Sequence, residues 1–388
     1  SWILEKTGFK KGMMLGLIVM AIGAILFIPA AQTRIYGLFL SGLFIIGTGL
    51  ALLQTAVNPY VTIVGPIESA ARRISIMGIC NKVAGVLAPL VLGAIILSDA
   101  DTLTTNLTTA TADAKQTLQD ELAGRIILPY ILMTIILIGL ALMIWFSSLP
   151  EIETEEETQD LQIAANNKTS IFQFPNLVLG VISLFLYVGV EVMAGDTIGL
   201  FGQSQDIPLS IAKYFPSFTL TAMIIGYIIG ILTIPKFMSQ TKALAISAVV
   251  GVIFSLLAIY SRIFGVDFYM NLNIVDLNDL LKFKLTFESL NIHVDDGFIA
   301  VMFIALLGLT NALMWPAIWP LAIHGLGKFT KQGSALLIMA IAGGAVLPLV
   351  YGRLADMENI GYQQAYWIMI PCYLFILFYA MRGQKSKV

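Results

Sequence analysis

Charge is what this chain has least of: Asp, Glu, Lys and Arg make up 12% of its 388 residues, where a soluble domain carries about a quarter. With 58% hydrophobic residues and a mean hydropathy of +0.87, that scarcity excludes a water-soluble domain and leaves an integral membrane protein. A net charge of -2 offers no basic surface to a nucleic acid. Only two cysteines are present, Cys80 and Cys372, and both lie in apolar runs. They support no disulfide framework or zinc site and read as small hydrophobic residues. The two histidines, His293 in a polar insertion and His324 at a helix end, have no metal-ligating neighbours in sequence. The apolar runs hold no HExxH, no paired histidines and no serine with a basic partner. An intramembrane enzyme is therefore set aside, and no cofactor or metal is expected.

What is present is a series of apolar stretches of about 20 residues without strand-like alternation, which reads as an all-α helical bundle and not a barrel. Ten spans are expected, at 12–31, 36–64, 76–98, 125–149, 175–202, 214–235, 243–264, 297–323, 333–354 and 365–381. Residues 1–4 run directly into a basic turn, EKTGFKKG. Polar segments at 99–124 and 265–296 and the acidic stretch 151–170 separate spans. The chain divides into an N-terminal bundle (1–150), a linker (151–174) and a C-terminal six-helix bundle (175–388). Of the 22 Lys and Arg residues, thirteen fall on the side of the basic turn, eight opposite, and Lys82 lies inside a span. That bias places the linker and the C-terminus in the cytoplasm.

One stretch organises the rest: GLALLQTAVNPYVTIVGP, Gly49 to Pro66. Gln54 and Asn58 are four apart, so they share a helix face, and Pro59 bends the helix there. Amides are costly in hydrocarbon unless partnered, so this face should meet a cavity. Asn311 and Pro316 repeat Gln54 and Pro59 at an offset of 257, with Trp315 in place of Asn58. GVLAPLVLG from Gly85 returns as GAVLPLVYG from Gly344, an offset of 259. Two nearly equal offsets imply parallel, sequence-related halves. On that alignment the counterparts of the first one and a half to two spans of the second half fall before Ser1, so a twelve-span protein missing roughly 50 to 70 residues is expected.

Lys82, Glu191 and Asp196 lie within expected spans, where ionisable groups mark functional sites, and Asp196 follows Gly195, an expected break in its helix. Glu191 stands one turn beyond Tyr187, setting a carboxylate beside an aromatic hydroxyl. A carboxylate can accept two sugar hydroxyls, exchange a proton or bind sodium. Lys82 and Glu191 can also neutralise each other, as buried charges usually do, and a pair broken by solute or cation would act as a gate. Asn311, Trp315 and Trp319 form an i, i+4, i+8 stripe, in which aromatic faces stack on a sugar ring and an amide takes its hydroxyls. Each residue also has a plainer role, tryptophan as an interfacial anchor and asparagine as helix-to-helix glue.

At these residues the chain resembles the major facilitator superfamily, and within it the fucose, galactose and glucose to proton symporter family. The carrying segments are QTAVNPYVTIVGP (Gln54 to Pro66), GICNKVAGVLAP (Gly78 to Pro89), YVGVEVMAGDTIG (Tyr187 to Gly199) and the run from Asn311 to Pro348. The resemblance implies two pseudo-symmetric six-helix bundles, alternating access and a monosaccharide held between the halves. It implies a sugar contact at Asn81, and it places Gln54 where the family's fucose symporter has a proton-coupling glutamate. Glutamine cannot titrate. Coupling would then fall to Glu191 or Asp196, or to a helix upstream. The expected protein is thus a monomeric, bacterial inner-membrane carrier importing a glucose- or galactose-like hexose with H+ or Na+. Its expected substrate residues are Gln54, Asn58, Asn81, Tyr187, Glu191, Asn311, Trp315 and Trp319, and its coupling or gating residues Lys82, Glu191 and Asp196. A facilitator without coupling, or a non-transporting sugar sensor of the same fold, are the alternatives.

Overall fold

A backbone in hydrocarbon must satisfy its own N–H and C=O groups, and this one does so almost entirely as helix. The computed structural model describes residues 2–96, 112–150, 168–207, 209–212, 214–275 and 287–382. The long elements are α1 (Trp2–Thr33), α2 (Tyr36–Ile63), α3 (Ala70–Ile96), α4 (Ala112–Phe146), α5 (Pro175–Asp196), α6 (Phe215–Thr233) and α7 (Gln240–Ile259). A hairpin of β1 (Asp267–Val275) and β2 (Phe287–Asp295) follows, then α8 (Asp296–Asn311), α9 (Met314–Ile323), α10 (Thr330–Met339), α11 (Gly343–Ala355) and α12 (Met369–Arg382). Among the described residues nine helical segments are long and apolar enough to cross a membrane, and α3 is a continuous helix where the remaining expected span lies. Many outward side chains are large and apolar, Phe44, Ile135, Ile136 and Leu232 among them, as a surface facing lipid requires. Half of the Thr-rich segment, 99–111, and the acidic 151–167 stretch lie outside the described residues.

Three sequence expectations change. The basic turn is helical on both sides, and Gly8, at φ 75°, makes the bend that a side chain would resist. The fifth expected span ends at Asp196 and restarts as a short helix at Ile198 instead of running on to Gly202. The polar insertion contains an antiparallel hairpin in register from Asp267↔Asp295 to Val275↔Phe287. Asp295 then caps α8, its carboxylate accepting from the Phe298 N–H at 2.7 Å.

By contact the described residues form two units, one from Ser1–Tyr60 and Leu87–Ile152, the other from Val61–Val86, Glu153–Asp276 and Thr286–Val388. In the first, Leu17, Ala21 and Ala24 of α1 pack on Leu137 and Ala141 of α4, and Phe27 stacks on Tyr130 with ring centroids 4.0 Å apart. The end of α4 is tied down by polar contacts, Lys10 Nζ donating to Ser147 O at 2.7 Å and Tyr60 Oη to Pro150 O at 3.1 Å. A cation there also meets the negative end of the helix dipole.

In the second unit α5 is the hub, packed against α6, α8, α9, α10, α11 and α12. Asn176, in its first turn, donates to the carbonyls of Leu321, Ala322 and His324, satisfying the end of α9. The start of α3 belongs to this unit, and its entry is held by one side chain. Arg73 donates through Nε to Val61 O (2.8 Å), through one terminal nitrogen to Thr62 O (2.7 Å) and Gly65 O (3.2 Å), and through the other to Pro66 O (3.0 Å) and Ser69 Oγ (2.6 Å). Only a planar five-donor fork can serve that many acceptors at once. Arg73→Lys should therefore lower stability by about 2 kcal/mol, read as thermal unfolding in detergent. An unchanged melting midpoint would remove the clamp from the account.

Candidate functional site

The ionisable groups come first, because hydrocarbon penalises them most. Lys82 on α3 and Glu191 on α5 are paired, Nζ to Oε1 at 2.5 Å. Each charge alone in the middle of a span costs about 3 kcal/mol on insertion scales, and pairing offsets much of that. The side chains remain 16% and 18% exposed, so the pair is enclosed without being sealed. Asp196 is the last residue of α5 and exposed, at the break expected beside Gly195. The Thr197 hydroxyl donates to Met193 O at 2.7 Å and lies 2.8 Å from Tyr366 Oη.

One turn before Glu191 the buried Tyr187 meets Trp315, ring centroids 6.4 Å apart, and Trp315 stacks on Trp319 at 5.4 Å and 22°. Trp315 is half-buried while Trp319 is fully buried, its indole nitrogen without a hydrogen-bond partner among the described residues. The Ser183 hydroxyl, one turn earlier on α5, is also buried and without a partner among them.

The expected stripe through Asn311, Trp315 and Trp319 does not lie on one continuous helix. Helix α8 ends at Asn311 and α9 begins at Met314. Pro316 explains part of this, since it has no N–H to return to the carbonyl of Ala312. Asn311 is completely buried at the break. Its Oδ1 accepts from Tyr373 Oη of α12 at 2.9 Å, and its Nδ2 has no hydrogen-bond partner among the described residues.

The structure thus gathers Lys82 with Glu191, Tyr187 with the two tryptophans, and Asn311 with Tyr373. Asn81 is exposed on α3 beside Lys82. Gln54 and Asn58 belong to the other compact unit, Gln54 half-buried and Asn58 buried with its Nδ2 donating to Gln54 O at 3.0 Å. Tyr373 and Tyr227 are the polar groups that the sequence reading passed over. A tyrosine in an apolar run reads as packing, and only coordinates show that Tyr373 addresses an amide and that the Tyr227 ring covers Gly78. Cys372 is buried and Cys80 exposed, both free. His293, expected to be without a role, lies 2.8 Å from Asp267 in the hairpin. No group of three or more His, Cys, Asp or Glu able to hold a metal ion occurs among the described residues.

Comparison with known proteins agrees with this architecture. A family model described as Major Facilitator Superfamily matches residues 1–273. A glucose/galactose transporter of Brucella abortus is 33% identical over 99% of the chain and 81% of its own length. The L-fucose-proton symporter of Escherichia coli is 25% identical over 91% of the chain and 74% of its own length. The crystal structure of the transporter FucP in its outward conformation superposes with a TM-score of 0.77, covering 99% of this chain and 84% of that one at 24% identity.

Proposed function

Because the chain belongs to the Major Facilitator Superfamily, we propose that it is a secondary carrier that imports a monosaccharide by alternating access. A glucose- or galactose-like hexose is favoured over fucose, since the relative named for glucose and galactose is the more similar, 33% against 25% identical. The carrier is placed in a bacterial inner membrane as a monomer with a cytoplasmic C-terminus.

The observation that carries this reading is the Lys82–Glu191 pair set one helical turn from an aromatic platform. Sugar hydroxyls donate to a carboxylate, and the apolar face of a pyranose stacks on tryptophan. Asp196 and Glu191 are the groups that can take up a proton or ligate Na+, and Glu191 is the one paired with Lys82. When Glu191 does so, the attraction to Lys82 is lost and the contact of α3 with α5 loosens. Proton coupling is the version supported by the fucose relative's name. Gln54 supports a second version, a facilitator without coupling, because a glutamine cannot titrate at that position.

The test is counterflow of labelled glucose and galactose in proteoliposomes. Wild type should exchange at least one of them, and Asn311→Ala should raise the half-saturating concentration about tenfold, the weight of one neutral hydrogen bond. Exchange of neither hexose by wild type would remove the carrier reading. Unchanged exchange in Asn311→Ala would remove Asn311 from the site.

A further inference from the structure

Asn311 is completely buried, and among the described residues only one of its two polar edges is satisfied. That is an uncommon and unfavourable state, because buried amides ordinarily find partners for both. The satisfied edge is the carbonyl, which accepts from Tyr373 Oη at 2.9 Å. A phenol has a single proton, so giving it to Oδ1 fixes which way the amide faces. The NH2 edge is left open.

Tyr373 is itself held from behind. Its ring lies on Gly251 of α7, where an added Cβ would come within 2.7 Å of a ring carbon. The ring and its hydroxyl are both fully buried on α12. The glycine admits the ring, the ring aims the hydroxyl, and the hydroxyl turns the amide. Three helices, α7, α12 and α8, take part in setting one side chain at the place where α8 breaks.

We propose that Tyr373 is a positioning residue for specificity, orienting Asn311 so that it donates to an oxygen of the solute and does not accept from one. This rests on the hexose-carrier reading above. Its chemical consequence is directional. A solute oxygen that accepts from Asn311 can be replaced by fluorine, a weak acceptor, with less loss than by hydrogen, which accepts nothing. Without the Tyr373 hydroxyl the amide is free to turn, and that preference should vanish even though Asn311 is still present.

The experiment is competition against labelled glucose on purified wild-type, Asn311→Ala and Tyr373→Phe protein, using the monodeoxy and monodeoxyfluoro glucoses. In wild type one ring position should stand out, the deoxy sugar binding about tenfold more weakly than glucose and the fluoro sugar intermediate between them. Both variants should lose that difference at the same position. A Tyr373→Phe protein with the wild-type analogue profile would overturn the proposal, and so would one that fails to fold, which would give the hydroxyl a structural role. Failure of wild type to bind or exchange any hexose would overturn the carrier reading together with this one, whereas hexose binding with an unaltered profile overturns this one alone.

Discussion

In Glu191→Gln, gradient-driven hexose uptake is expected to fall to the level of passive leak. The variant removes the one carboxylate paired inside the spans at this site and leaves the Lys82 ammonium without its 2.5 Å partner. Stranding a buried charge costs about 3–5 kcal/mol, and somewhat less here because roughly a sixth of each side chain is exposed. Instability could imitate a loss of coupling, so the informative experiment is a cycle. Lys82→Met strands the carboxylate and should also lower the melting midpoint in detergent. The double variant Lys82→Met with Glu191→Gln removes both charges, and its midpoint should recover most of the way, since an ion pair replaced as a unit is close to neutral in stability. Recovery of folding without recovery of uphill uptake separates the two roles. If Glu191→Gln concentrates hexose like wild type, the carboxylate has no part in coupling.

Among the described glycines, Gly343→Ala should be the most disruptive single added methyl group. An added Cβ would lie 1.8 Å from the backbone oxygen of Phe185 and 2.7 Å from its carbonyl carbon. No rotamer change relieves a clash with backbone, so α11 must move off α5, the hub of its unit. Overpacking of that kind costs about 3 kcal/mol or more. Gly352→Ala on the same helix is the control, because nothing lies within 4 Å of its added methyl, and it should be neutral or stabilising by up to about 1 kcal/mol. Equal melting of the two variants would show that α5 and α11 are not in the contact described.

The spans were legible because hydrocarbon imposes one signal, about 20 apolar residues in a row, and each expected span contains a helix. Helix ends were less legible. Gly195 marks a break beside Asp196, where α5 does end, whereas the break between Asn311 and Met314 was not read from the sequence. The hairpin left a readable trace that composition hid: in FYMNLNIV, Met270, Leu272 and Ile274 alternate with Asn271 and Asn273, a period of two. At the candidate site, the charges and amides were visible because they are rare in spans. Tyr373 was not, since its importance comes from a partner 62 positions away, and no periodicity encodes that distance.

The glycine contacts also divide the helices by how they can move. At Gly343 on Phe185 O, Gly308 on Thr219 O and Gly226 on Leu309 O, backbone lies directly on backbone. Such seams have no soft layer in which to slip, so α5 with α11, and α6 with α8, travel as welded pairs. The seam of α3 is of another kind. There Gly78 meets the edge of a ring, Tyr227, and a ring can turn. For α3 a hinged side chain, and not a peptide plane, forms the bearing.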